Sequence, residues 1–322
     1  MKKILWALLD NRRGSVGQAM GVIGELGKDF TVIEKKIDYT KLSGLPNWLR
    51  GRSLIGLTAD SKKQITAPYP DMVLSISRRT APIARYIKKH SPHTKLIQLM
   101  HPGNAGLSEF DLVIVPEHDK DKKTTPNVHH IVGCPHRVTP EFLQKEREKW
   151  AAEFADLPRP LTAVIVGGAI KKKPFSPENA KALGQAVRNL KQKIGGSILI
   201  TTSRRTSENA QKIIMEEIKD IPQFTYLWGD TSENPYGGFL ACADNIVVTA
   251  DSVSMCCEAT ATEKPVYLFV AKDWPTPKHK RFAKSLIDTG CAILLNDEKA
   301  ASFKPQKSLN AAKEIADLIA DL

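Results

Sequence analysis

Residues 245–259 read Asn245-Ile246-Val247-Val248-Thr249-Ala250-Asp251-Ser252-Val253-Ser254-Met255-Cys256-Cys257-Glu258-Ala259. A run of branched apolar residues, Ile246-Val247-Val248, meets a polar break and then apolar and small residues at helical spacing. The pattern is a buried strand, a tight turn and a helix, with Asp251 or Ser252 placed to cap the helix. A strand that feeds a helix in this way belongs to a βαβ unit, and such units build parallel sheets. In open sheets of that kind, ligands lie beyond the carboxyl ends of the strands. The free N–H groups and positive dipole end around Ser252 and Ser254 make an anion site there. Glu258 lies roughly 9 Å further along the helix axis. That is about the reach from a diphosphate to the ribose of the same nucleotide, and a carboxylate there can accept both ribose hydroxyls. An ordinary capped helix with a surface glutamate carries the same pattern.

The pattern repeats outward from this stretch. In the second half, strands are expected at 163–166, 197–201, 245–248 and 266–270, with helices at 177–193, 208–218, 252–263 and 279–288. In the first half, strands are expected at 4–9, 30–33, 72–76, 95–99 and 112–115, with helices at 16–27 and 81–89. The two series meet at 150–160, where Pro158 and Pro160 flank Arg159 and disfavour continuous helix. The expected fold class is α/β, with two Rossmann-like doubly wound domains. Residues 1–155 form the first, the acceptor side, and residues 160–305 the second, the nucleotide-binding side. Their strand-end loops are expected to face a cleft between them. Residues 306–322 read as an amphipathic C-terminal helix that can dock on either domain.

Other strand ends carry polar and glycine residues. Gly167 and Gly168 follow the strand at 163–166, and glycine lets the backbone approach a phosphate closely. Thr201-Thr202-Ser203-Arg204-Arg205-Thr206 ends the next strand, where Ser203, Arg204 and Arg205 suit phosphate or sugar oxygens. A loop with Trp228, Asn234 and Tyr236 can hold a base. In the first half, Arg12, Gly14 and Gly17 follow the first strand, although the spacing is not that of the dinucleotide fingerprint G-x-G-x-x-G. Arg78 and Arg79 follow the strand at 72–76 and join Arg12 as substrate-binding candidates. Glu117, His118 and Asp119 follow the strand at 112–115 and can supply a general base. A solvated turn reads the same way.

Composition bounds the function classes. The 322 residues are 42% hydrophobic and 25% charged, ordinary values for a folded chain of about two domains. Lys and Arg total 47 against 35 Asp and Glu, a net charge of +12 that favours anionic partners. Nucleotides and an anionic membrane surface fit that charge; nucleic acid, resting on charge alone, is not expected. Five cysteines include no C-x-x-C pair, which argues for a reducing compartment and against zinc. No stretch approaches the ~20 apolar residues of a membrane span. The first ten residues read as a buried strand rather than a signal peptide. The location expected is cytoplasmic, with peripheral contact at the inner face of a membrane.

Taken together, Asp251-Ser252-Val253-Ser254-Met255 with Glu258, the 201–206 segment, Asn234-Pro235-Tyr236, Pro116-Glu117-His118-Asp119 and His136-Arg137-Val138-Thr139-Pro140 resemble the mitochondrial-fission Elm-type family over nearly the whole chain. A more distant likeness is to the membrane-associated N-acetylglucosaminyltransferase of peptidoglycan synthesis. Gly14 and Gly17, Gly167 and Gly168, and Ser252 with Glu258 match that enzyme's pattern in order. The first loop departs from it, with fewer glycines and two arginines. The resemblance implies a glycosyltransferase-B-like architecture and a metal-independent transferase that takes a nucleoside-diphosphate sugar as donor, with an unidentified acceptor and no cofactor. A nucleotide-sugar 2-epimerase and a noncatalytic binding protein are the alternatives it leaves open.

Overall fold

A computed structural model describes residues 2–119, 125–271 and 273–322. The chain forms two compact units, Met1–Arg137 with Asn310–Leu322, and Val138–Leu309. The first holds β1 (Lys3–Leu9), α1 (Arg13–Glu25), β2 (Phe30–Lys36), α2 (Asn47–Arg50), α3 (Ala59–Lys63), β3 (Met72–Ile76), α4 (Ser77–His90), β4 (Lys95–Leu99), β5 (Leu112–Pro116) and β6 (Val128–Ile131). The second holds α5 (Pro140–Trp150), β7 (Leu161–Val166), α6 (Pro177–Ile194), β8 (Ser197–Thr202), α7 (Glu208–Ile218), β9 (Gln223–Tyr226), α8 (Tyr236–Cys242), β10 (Asn245–Thr249), α9 (Val253–Thr260), β11 (Val266–Phe269), α10 (Pro277–Asp288) and β12 (Ile293–Leu294). Helix α11 (Ala311–Ala320) then returns to the first unit.

Each unit is built on a six-stranded sheet, ordered β2-β1-β3-β4-β5-β6 in the first and β12-β11-β10-β7-β8-β9 in the second. All named strand pairs are parallel. Central strands such as β3, β5, β7 and β8 are buried along their whole length because helices cover both faces. In the first unit one face of the sheet packs Leu5, Leu74, Ile97 and Ile114 against Ala19 and Val22 of α1 and Ile315 and Ile319 of α11. The other face packs Trp6, Val73, Leu96 and Val113 against Ile83 and Ile87 of α4. The C-terminal helix, expected to choose either domain, belongs to this first core.

The sequence reading ended the first domain at 155, whereas the compact units divide after Arg137. The reason is the packing of α5 on α8. A Cβ at Gly238 would lie 2.4 Å from the Trp150 ring, and one at Gly237 would lie 2.4 Å from the Glu146 carboxylate. The bare backbone of α8 lets α5 lie against it, and Arg147 Nη2 donates to the Ala241 carbonyl at 2.9 Å.

Thr58, Thr139, Ser176, Ser207 and Asn310 cap α3, α5, α6, α7 and α11 with their side chains. The helices that follow β1, β3 and β10 directly, namely α1, α4 and α9, have no side-chain cap, and neither do α2, α8 and α10.

Candidate functional site

The second sheet changes direction between β7 and β10: the chain runs from β7 outward to β8 and β9, and from β10 outward to β11 and β12. This is the topological switch point, where crevices open in such sheets. Gly167 and Gly168 follow β7, and Asp251 and Ser252 follow β10. The Gly167 N–H donates to Thr249 Oγ1 at 2.7 Å and the Gly168 N–H to Asp251 Oδ2 at 3.0 Å. Both glycines are required by close approach. A Cβ at 167 would sit 2.2 Å from the Asp251 carboxylate, and one at 168, where φ is +134°, would sit 2.1 Å from the Arg205 carbonyl oxygen.

Arg205 forms an ion pair with the same Asp251 oxygen and donates to the Ala169 carbonyl at 3.1 Å. Thr206 Oγ1 donates to the Gly167 carbonyl at 2.6 Å, and Ser203 Oγ donates to it as well. Burial pushes the Asp251 carboxyl up, against the pull of the Arg205 guanidinium. The side chain of Asp251 therefore reaches back to the glycine loop instead of capping α9. Ser252 is the N-cap of α9 but makes no side-chain cap bond. The first turn of α9 thus carries its N–H groups at the mouth of the sheet, with Ser252 half-buried and Ser254 exposed. Arg204 is exposed beside Arg205.

Two further expected residues meet each other. Tyr236, the first residue of α8, donates its hydroxyl to Glu258 Oε2 at 2.5 Å. Burial first, and the neighbouring Glu258 charge second, hold the Tyr236 phenol well above its usual range. Asn234 Oδ1 accepts the Tyr236 N–H at 2.9 Å and so steadies the start of α8. Trp228 is 56% exposed, and its backbone N–H is held by Thr202 Oγ1 at 2.8 Å.

His279 is a residue of this region that the sequence reading did not single out. It lies in the first turn of α10, with Nδ1 2.7 Å from Thr276 Oγ1 and a hydrogen bond to the backbone of Asp251. Burial lowers its pKa, and the charges of Lys278, Arg205 and Lys171 lower it further. Those same charges make the surroundings of Asp251 and α9 cationic. The sequence signal was faint: a histidine among lysines after a proline looks like a solvated helix start.

In the first unit the strand ends of β1 and β3 come together. Arg79 donates to Asp10 Oδ2 at 3.2 Å and Asn11 Oδ1 at 2.9 Å, and its guanidinium lies 4.5 Å from the Tyr39 ring centre. Arg78 donates to the Leu45 carbonyl at 2.9 Å. Arg12 is the N-cap of α1, and its N–H is held by Asp10 Oδ1 at 3.0 Å. Gly14 and Gly17 lie inside α1 rather than in a loop, and an added Cβ at either would meet nothing within 4 Å. They leave open space and are not packed like Gly167 and Gly168. Glu117, His118 and Asp119 form one 3-10 turn after β5. They do not present a common face: Glu117 is exposed, Asp119 half-buried and His118 buried.

Among the described residues no group of three or more His, Cys, Asp or Glu side chains is arranged to hold a metal ion, and no helix is long and apolar enough to cross a membrane.

The family model described as mitochondrial fission ELM1 matches residues 13–322. A Rickettsia prowazekii relative, "Uncharacterized protein RP120", is 29% identical over 349 residues, covering 98% of this chain and 97% of that one. The Arabidopsis thaliana protein "Mitochondrial fission protein ELM1" is 34% identical over 243 residues, covering 69% of this chain and 56% of that protein. Among solved structures, the UDP-GlcNAc 2-epimerase of Methanocaldococcus jannaschii matches with a TM-score of 0.59 and 13% identity, over 99% of this chain and 100% of that one. At that identity the likeness bears on the fold, and it agrees with two Rossmann-like sheets of the glycosyltransferase-B type. With the family match running almost from end to end, this chain belongs to the mitochondrial fission ELM1 family.

Proposed function

We propose that the second unit binds the nucleoside diphosphate of a nucleotide sugar at the switch point between β7 and β10, and that the protein is a metal-independent glycosyltransferase. The observation that carries this reading is the Asp251–Arg205 ion pair, which locks Gly168 to the mouth of the sheet and leaves the start of α9 without a side-chain cap. Backbone N–H groups at a helix start favour an anion. Arg204, Arg205, Ser252 and Ser254 then take the charge that builds on the leaving diphosphate, and no cofactor is invoked. Glu258 accepts from the ribose hydroxyls, and the Asn234–Tyr236 segment borders the base.

In the transfer step the acceptor oxygen bonds to the anomeric carbon as the bond from that carbon to the diphosphate oxygen breaks. A base removes the acceptor's proton. The first unit supplies the acceptor side in this reading, through Arg12, Gly14, Gly17, Arg78 and Arg79, and the base comes from the turn Glu117–Asp119. Of its residues, Glu117 is the one open to solvent.

A nucleotide-sugar epimerase is the second reading. His279 beside Asp251 favours it, since a titratable group within the second unit itself needs no separate acceptor. The test is a thermal-shift screen of nucleoside diphosphates and their sugars, repeated with a chelator. A ligand at about 100 times its dissociation constant adds roughly 2.7 kcal/mol to stability. No shift with any nucleotide defeats both readings in favour of a noncatalytic protein. Nucleotide binding without release of free diphosphate on adding acceptor extracts favours the epimerase.

A further inference from the structure

The stretch between β2 and β3 is folded inside out. Residues 41–55 read Lys41-Leu42-Ser43-Gly44-Leu45-Pro46-Asn47-Trp48-Leu49-Arg50-Gly51-Arg52-Ser53-Leu54-Ile55. Three of its polar side chains point inward: Ser43 is 7% exposed, Asn47 6% and Arg50 1%. Five of its six large apolar side chains point out, with Leu54 packed half-buried on the core: Trp48 is 71% exposed, Leu42 55%, Leu49 50%, Ile55 44% and Leu45 37%. Among the described residues these are five of the nine exposed large apolar side chains. Single exposed apolar residues are ordinary, but a cluster of them marks a contact surface.

The inversion is fastened by hydrogen bonds. Asn47 Nδ2 donates to the carbonyls of Arg78 at 2.9 Å and Pro102 at 3.0 Å. Arg50 donates through Nε to the Ile55 carbonyl and through Nη1 to the Arg79 carbonyl, both at 3.1 Å. Arg78 Nη1 holds the Leu45 carbonyl from the other side. These bonds seat the segment over the ends of β3 and β4 and hold α2 with Trp48 and Leu49 outward.

The charge around the patch has one sign within the segment. No Asp or Glu occurs from 39 to 59, while Lys41 and Arg52 are exposed. Arg78 is exposed next to it; Glu109 pairs with Arg52 at 2.9 Å, and the exposed Asp38 and Asp60 lie just outside the segment in the sequence. A tryptophan and leucines set in a cationic rim suit the boundary between headgroups and acyl chains. Apolar area supplies depth, and each basic residue adds attraction to an anionic surface.

We propose that Leu42, Leu45, Trp48, Leu49 and Ile55 form a docking surface for an anionic lipid bilayer, which sets the Arg78 end of the first unit at the headgroups. The inference stands on the first unit alone and does not depend on what the second unit binds. The test is sedimentation of the full chain with vesicles of phosphatidylcholine alone and of equal parts phosphatidylcholine and phosphatidylglycerol, beside the Trp48→Ser/Leu49→Ser double variant and Lys41→Glu. The native chain should bind the anionic vesicles at least about tenfold more tightly than the neutral ones, and the double variant should lose about tenfold or more while keeping its circular dichroism and melting temperature. Lys41→Glu should weaken binding to the anionic vesicles alone. Acyl-chain-brominated lipid should quench native tryptophan fluorescence but not that of Trp48→Phe. Three results overturn the proposal: no native binding to either vesicle, equal binding by the double variant, or a native dimer that the double variant converts to a monomer with vesicle binding absent throughout.

Discussion

The Tyr236 hydroxyl stands 2.5 Å from Glu258 Oε2, joining the start of α8 to the later part of α9. The bond sets the direction of a carboxylate that follows the uncapped start of α9 by less than two turns. If Glu258 holds ribose, Glu258→Gln keeps the shape and removes the charge-assisted acceptor. Hydrogen bonds to a charged group contribute roughly 1.5–3 kcal/mol, so nucleoside diphosphate affinity should fall about ten- to a hundredfold by calorimetry. A 2′,3′-dideoxy nucleotide should bind the native chain weakly and respond little to the substitution. Equal behaviour of both nucleotides in both proteins removes Glu258 from the site.

Gly168 and Gly14 predict opposite outcomes for the same substitution. Gly168→Ala forces a side chain onto a φ of +134° and into the Arg205 carbonyl. The strain should cost at least about 2 kcal/mol and loosen the Arg205–Asp251 pair, weakening nucleotide binding with it. Gly14→Ala places a methyl group in open space within α1. It should leave the fold intact and raise stability by up to about 1 kcal/mol. Denaturant titration of the two variants beside the native chain reads both.

What the sequence revealed and what it hid follow from burial. The central strands were legible because both faces are covered and the apolar run is unbroken. The missed strands β6, β9 and β12 all lie at sheet edges. Val128–Ile131 carries two histidines and Gln223–Tyr226 alternates polar residues, as half-exposed edges permit. The 41–55 segment differs for the opposite reason: its apolar residues have the spacing of a core face, and long-range bonds from Asn47 and Arg50 hold them outward. At the candidate site, the residue types at the strand ends were legible and their division of labour was not. Asp251 looked like a helix cap because its partners, Gly168 and Arg205, lie in the loops that follow other strands.

His279 gives a pH signature. Its folded-state pKa is depressed, so protonation favours the unfolded chain. Its contribution is present above the unfolded value of about 6.5 and is lost as pH falls from there through the folded value. His279→Asn should therefore unfold less steeply with acid than the native chain, and the gap between their melting temperatures should narrow from pH 7.5 to pH 5.5. Parallel curves would place His279 in solvent and detach it from Asp251.

Lys191 supplies a test on the far side of the second sheet. Its side chain is buried, with Nζ donating to the Pro160 carbonyl and to Thr162 Oγ1, both at 3.1 Å. Burial pushes its pKa down to about 8, with Asp244 pulling weakly the other way. The folded value lies below the ordinary 10.5, so the unfolded chain binds the proton more tightly. Stability from this group is fully present above about 10.5 and is lost as pH falls to about 8, after which it is flat. At 1.36 kcal/mol for each unit, the charged lysine costs about 3 kcal/mol at neutral pH. Lys191→Met keeps the length of the stem, removes that cost and gives up two hydrogen bonds that contribute about 1 kcal/mol each. The variant should therefore match or exceed the native chain at pH 7 by up to about 2 kcal/mol, and fall behind it by pH 10. Urea unfolding of both proteins at the two pH values decides it, and a difference that stays constant between them would mean that Lys191 titrates as an ordinary surface lysine.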